Sequence, residues 1–228
     1  MSVKIGWFVN SEPAWNELVY QQPEPLALNQ DHSAQYVRCP ATAHYCKNTF
    51  IIRSGYDLHL RFDKNTKTIK YIDGSLDPSY VKELLVQFHP NEWRNPHTPI
   101  FQLHLDNGFV ADEPVWMEVF PAFYQAPKIP GHIIPGTFDI YSWQRMLSYS
   151  FEWMNPDEDY HISRGDPLYS VRFRSRDPGD SFKIETIKMD DRLKNDIGKC
   201  QGVKFALKNY SWRLMALNRT LRPRRYIK

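Results

Sequence analysis

The clearest pattern in the chain is the alternation over residues 56–62. Tyr56, Leu58, Leu60 and Phe62 fall on one face of an extended segment, with Asp57, His59 and Arg61 on the other. That two-residue period marks a half-buried strand. Asp63-Lys64-Asn65-Thr66 reads as a turn and Thr68-Ile69-Lys70-Tyr71-Ile72 as the returning strand, a hairpin whose register is set by one apolar face. Phe50-Ile51-Ile52 leads in through a Ser54-Gly55 turn. The period returns at Phe101, Leu103 and Leu105 against Gln102, His104 and Asp106, and Asn107-Gly108 is the dipeptide of a tight hairpin turn. Residues 3–9 and 115–120 read as further strands, 138–153 as a core strand pair, and 167–173 with 181–187 as the end of a meander. Residues 160–174 read as a core hairpin turning at Gly165-Asp166-Pro167.

Helical spacing is confined to two regions. Asp77 and Pro78 suit an N-cap and first helical position, and Val81, Leu84, Leu85 and Phe88 continue a helix over 78–88. After Lys188, residues 190–199 and 203–220 have helical periodicity, with Val203, Leu207, Tyr210 and Leu214 on one stripe suited to packing on a sheet. Residues 10–34 are broken by Pro13, Pro23 and Pro25 and are irregular apart from a helical turn near 14–20. The prediction is a mainly β chain: an antiparallel β-sandwich or jelly-roll-like domain over 1–187, with a C-terminal helical appendage and basic tail over 188–228.

Composition supports an ordered core. Of 228 residues, 42% are hydrophobic and 14% aromatic, and 17 prolines outnumber 10 glycines, which fits strands joined by ordered loops. A net charge of +3 is too small to imply nucleic-acid binding. The tail is different: Arg213, Arg219, Arg222, Arg224, Arg225 and Lys228 occur with no acid among them, a solvated basic end or a contact for nucleic acid or an acidic partner. No apolar run approaches the roughly 18 residues that span a bilayer, and the first residues lack a signal-peptide pattern. Three cysteines do not make a disulfide framework. The expected setting is cytoplasmic, in a bacterial or infected-cell cytosol or in a virion, without a membrane.

One constellation suggests redox chemistry. His104-Leu105-Asp106 places an imidazole and a carboxylate on one strand face, His161 follows 55 residues after Asp106, and Arg172 lies eleven further on. The order resembles the non-haem iron, 2-oxoglutarate-dependent dioxygenases. That resemblance implies a double-stranded β-helix, Fe(II) held by His104, Asp106 and His161, and the 2-oxoglutarate carboxylate clamped by Arg172. No acidic, glycine-rich strand stands between the two histidines. The competing reading makes His104 and Asp106 the solvent face of a half-buried strand.

Cys39, His44 and Cys46, with His32 upstream, are zinc-type ligands, but six residues separate the two cysteines, wider than the usual ligand pairs. Buried free cysteines fit better. Glu152, Asp157, Glu158 and Asp159 lack a glycine bend and read as a solvated loop. No phosphate loop is present.

Three short segments resemble an uncharacterised bacterial and bacteriophage domain-of-unknown-function family. They are Val37-Arg38-Cys39-Pro40 leading into 49–58, Ile134-Pro135-Gly136-Thr137-Phe138-Asp139 followed by Trp143, and Gly165-Asp166-Pro167-Leu168. The family's leucine before the proline is absent, and Tyr56 stands where its tryptophan is expected. The resemblance spans residues 10–175 and implies no catalytic residues. With exposed aromatics and the basic tail, it favours a non-enzymatic binding or assembly module, phage-encoded, that self-associates or meets a protein partner.

Overall fold

The computed structural model describes residues 2–10, 12, 16–27, 38–123, 129–206, 213–214, 217 and 225–227. The chain is mainly β, as the alternation predicts, and the described strands form three sheets. The first has the order β14 (Ser181–Thr186), β1 (Ser2–Val9), β7 (Ile100–Ala111), β11 (Met146–Trp153), β9 (Gly131–Ile133), with β6 (Leu85–Gln87) also on β7. The second runs β10 (Gly136–Asp139), β8 (Trp116–Phe120), β13 (Pro167–Arg174), β3 (Thr49–Arg53), β2 (Glu24–Pro25). The third is β12 (Tyr160–Ile162), β4 (Leu58–Asp63), β5 (Thr68–Gly74). Pairing is antiparallel except between β1 and β14, which run parallel.

Period-two burial assembles these sheets into two layers around one core. Phe101 of β7 and Tyr149, Phe151 and Trp153 of β11 are each 0% exposed. Across from them lie Tyr160 of β12, 5.3 Å from Phe101, and Tyr169 of β13, 6.0 Å from Tyr149. Phe109 and Phe173 meet at 5.2 Å, so rings join the first sheet to both others. The other face of the first sheet is covered by α4 (Asp191–Ala206): Leu193 and Ile197, one helical turn apart, bury Phe8 and Val110. The end of the described chain returns to this patch, where the Tyr226 and Ile227 amides donate to the Asp112 carboxylate at 2.8 and 2.9 Å. Leu207 and Tyr210 of the expected helical stripe lie outside the described residues. No described helix is long and apolar enough to cross a membrane.

The hairpin over 56–72 is present, and α3 (Pro78–Leu84) begins at the Asp77 cap, whose side chain accepts from the Ser79 amide at 2.8 Å. Five local expectations are corrected. The helix from 78 stops at Leu84, and Leu85–Gln87 is β6, because that edge of β7 is open at Phe101 to Leu103. Asn107-Gly108 is not a turn: β7 runs through it, with Gly108 paired to Phe8 on one side and Met146 on the other. Glycine is required there for space, since a Cβ would lie 2.5 Å from the Phe8 ring and 2.6 Å from the Arg145 carbonyl. Residues 138–153 supply β10 and β11 to different sheets, and β13 and β14 are not neighbours, because β14 pairs with β1. Finally, β12 and β13 flank a tight turn, with Gly165 at φ 88°, but β12 joins β4 and β13 joins β3 and β8.

Replacing Gly108 by alanine is therefore expected to lower unfolding free energy by about 1–3 kcal/mol in urea denaturation, the usual cost of overpacking. An unchanged midpoint would contradict the placement of Gly108 inside β7.

Candidate functional site

The sequence candidates fall in separate places. His104 is exposed on β7, in the first sheet, and His161 is exposed on β12, in the third, opposite His59. The Asp106 carboxylate is engaged by Asn16 Nδ2 at 3.0 Å and the Tyr80 hydroxyl at 2.9 Å. Arg172 is ion-paired to Glu118 at 2.6 Å. No group of three or more His, Cys, Asp or Glu side chains among the described residues is placed to hold a metal, so His104, Asp106 and His161 do not converge.

The zinc-type ligands are also dispersed. His32 lies outside the described residues. Cys39 caps and Cys46 ends a helix that the sequence reading missed, α2 (Pro40–Cys46). Cys39 is exposed and Cys46 half-buried, not the buried pair expected; burial pushes the Cys46 thiol up. The acidic residues are likewise separate. Glu152 is buried on β11 and bound by Arg94 at 2.7 Å and Thr98 at 2.9 Å. Asp157 pairs with Lys64, and Asp159 with His59 and Arg61.

What the fold does bring together is positive charge. A cavity of about 410 Å³ lies between α2, the outer face of β13 and the 175–180 turn, and its walls include His44, Lys47, Arg172, Arg174 and Arg176, with Asp177 and Asp180 on the turn side. Each has a local reason to be there. On β13, Tyr169, Val171 and Phe173 are buried, so the alternating positions Arg172 and Arg174 share the opposite face. Arg172 is opposite Glu118 in the β8 register, and Glu118 takes both guanidiniums, Arg172 at 2.6 and 2.9 Å and Arg174 at 2.8 Å. Burial pushes the Glu118 carboxyl up, but these bonds outweigh it and hold the group below its usual value. The Arg172 guanidinium also lies 5.7 Å from the Tyr45 ring centre and 5.6 Å from that of Phe120, within cation–π range of both rings.

The other wall hangs on Asn48, in the left-handed region at φ 62°, which asparagine tolerates. Its side chain donates to the Asp180 carbonyl at 2.9 Å and accepts from the Phe182 amide at 3.3 Å, while its carbonyl takes the Phe173 amide at 3.1 Å. One residue thus ties the end of α2 to β13 and β14. Lys47 Nζ reaches the Pro178 and Gly179 carbonyls, each at 3.5 Å. Asp180 accepts from the Ser175 hydroxyl at 2.7 Å, the largest cause of its lowered pKa. Among the described residues neither Lys47 nor Arg176 makes a close ion pair, although the Lys47 charge reaches the Asp180 carboxylate and helps to lower it. Nothing in the sequence pattern pointed to Asn48, Lys47 or Arg176; the only available signal was the density of arginines at 172, 174 and 176.

The fold and this cleft define a layered β protein with a preformed basic recess. No family model, curated protein or solved structure matches the chain.

The His59 cluster governs a pH response. Asp159 is held down to about 2, chiefly by Arg61 and also by His59, and Asp63 to about 2, chiefly by Lys70. His59 is raised, chiefly by Asp159. A depressed carboxylate stabilises the fold above its unfolded value of about 3.9, and that contribution is lost as pH falls toward 2. A raised histidine stabilises below about 6.5, and the gain is lost as pH rises past the folded value. Asp159→Asn should therefore flatten the stability profile on both flanks, read as urea midpoints from about pH 2 to 8. A variant profile parallel to the parent's would contradict this.

Proposed function

We propose that this protein is a non-enzymatic binding or assembly module whose basic cleft takes an anionic group presented by a protein partner. The observation that carries the reading is that Lys47 and Arg176, with no close ion pair of their own, line the same recess as His44 and the Arg172–Glu118–Arg174 triad, where five basic side chains outnumber Asp177 and Asp180. Arg172 and Arg174 are already positioned by Glu118, so little side-chain freedom is lost when an anion enters. Planar guanidiniums suit bidentate pairing with a carboxylate or phosphate. The lining groups supply charge and donors, the chemistry of recognition.

The basic tail extends this reading. Arg213 and Arg225 are exposed; Arg219, Arg222 and Arg224 lie outside the described residues. The resemblance to bacterial and bacteriophage proteins supports an accessory role in a phage-infected cell or its virion. It is the tail that makes nucleic acid the competing partner.

Calorimetric titration of the full chain with a synthetic Asp/Glu-rich peptide tests the cleft. Saturable, salt-sensitive binding is expected, weakened roughly tenfold in the Lys47→Ala/Arg176→Ala double variant, on the scale of two partly exposed charge contacts. Parent-like affinity in that variant would overturn the assignment to the cleft. Loss of binding in Arg213→Ala/Arg225→Ala instead, with a DNA duplex preferred over the peptide, would replace the protein partner by nucleic acid.

A further inference from the structure

The basic cleft is larger than a carboxylate needs, and part of its wall is apolar. Beside the charged side chains, the recess of about 410 Å³ is lined by Phe173, Pro178 and Phe182. That volume falls among small-molecule sites, and a carboxylate fills only a small part of it. Phe182, near the start of β14, is half-buried. Its ring lies 5.9 Å from that of Phe173, and its amide donates to Asn48 Oδ1 at 3.3 Å. The ring is thus held by the core on one side and by the end of α2 on the other, and it borders the same recess as the basic groups.

Charge sets how much anion the recess takes. Lys47, Arg172, Arg174 and Arg176 are offset in part by Glu118, Asp177 and Asp180. Among the described residues the positive surplus is therefore small, which suits one carboxylate rather than a run of them. Glu118 accepts from Nε and Nη2 of Arg172 and from Nη1 of Arg174. Nη1 of Arg172 and Nε and Nη2 of Arg174 are left to donate to a ligand. Arg176 is exposed on the turn. A planar guanidinium offers its edge to a carboxylate and its face to a ring, so the same wall serves a ligand that carries both.

We propose that the recess takes a single carboxylate joined to an aromatic ring, with the carboxylate among Lys47, Arg174 and Arg176 and the ring against Phe182 and Pro178. This rests on the anion reading of the cleft and names its ligand. On a protein partner, an aspartate or glutamate side chain brings no ring. The residue that brings both groups is a C-terminal phenylalanine, tyrosine or tryptophan. The occupant is therefore the aromatic end of a partner chain.

An NMR titration of the full chain with N-acetyl-phenylalanine tests it, with N-acetyl-alanine as the ringless acid and N-acetyl-phenylalaninamide as the uncharged counterpart. Saturable shifts are expected at the Asn48, Arg176 and Phe182 amides, with the aromatic acid bound roughly tenfold more tightly than either counterpart. Nuclear Overhauser contacts between the ligand ring and the Phe182 ring are expected in the parent protein. Phe182→Leu, which keeps apolar bulk in β14, should remove the preference for the ring and leave N-acetyl-alanine binding unchanged. Equal affinity for the two acids, both weakened by Lys47→Ala/Arg176→Ala, would overturn the aromatic ligand and leave the anion reading standing. Binding of the Asp/Glu-rich peptide at the cleft without binding of the aromatic acid would do the same. Parent-like binding of every anion in that double variant would overturn both. Tighter binding of 3-phenylpropionate than of the pentapeptide Gly-Ser-Gly-Ser-Phe with a free carboxylate would overturn the chain-end assignment in favour of a free aromatic acid; the reverse order supports it.

Discussion

All three sheets meet through one cluster of rings. Phe101, Tyr149, Phe151 and Trp153 project from adjacent strands of the first sheet. Tyr160 brings the third sheet to within 5.3 Å of Phe101, and Tyr169 brings the second to within 6.0 Å of Tyr149. Large aromatic side chains bury the most apolar area per residue, and these are fully buried. The requirement that they interdigitate fixes which face of β7, β11, β12 and β13 points inward. Everything on the outer faces is placed by that choice.

The basic cleft is a direct consequence. Once Tyr169, Val171 and Phe173 are committed to the core, Arg172 and Arg174 share the outer face of β13, and Glu118 on the adjacent strand lies within reach of both. The arrangement is self-consistent: the carboxylate that partly neutralises the arginines also holds them in a fixed geometry. Asn48 closes the other side by accepting a backbone conformation that few residues tolerate, and it links α2 to β13 and β14.

Much of this frame was legible in the sequence. The hairpin over 56–72, the Asp77 cap, the strand at Trp116–Phe120 and both strands flanking Gly165 follow from spacing and turn chemistry alone, because each signal is local. What was not legible depends on neighbours. Asn107-Gly108 has the chemistry of a tight turn, but Phe8 and the Arg145 backbone press against Gly108 and hold β7 extended. Leu85 to Gln87 continues a helical pattern, yet an open strand edge recruits it. His104, Asp106 and His161 have a suggestive order, but sequence order does not specify sheet membership, and His161 lies in a different sheet from His104 and Asp106. The cleft was hidden for the same reason: Lys47, Arg172 and Arg176 become neighbours only through the α2 and β14 connections to β13.

In the proposed reading, Lys47, Arg174 and Arg176 form an anion site between α2 and the 175–180 turn. The most direct measurement is a crystal structure of the protein grown in bromide or soaked in tungstate, with the anion located by its anomalous scattering. A peak among these three side chains, with Arg172 and Glu118 still paired, is the predicted result. Anion peaks confined to other surfaces, with that recess closed by its own Asp177 or Asp180, would contradict it.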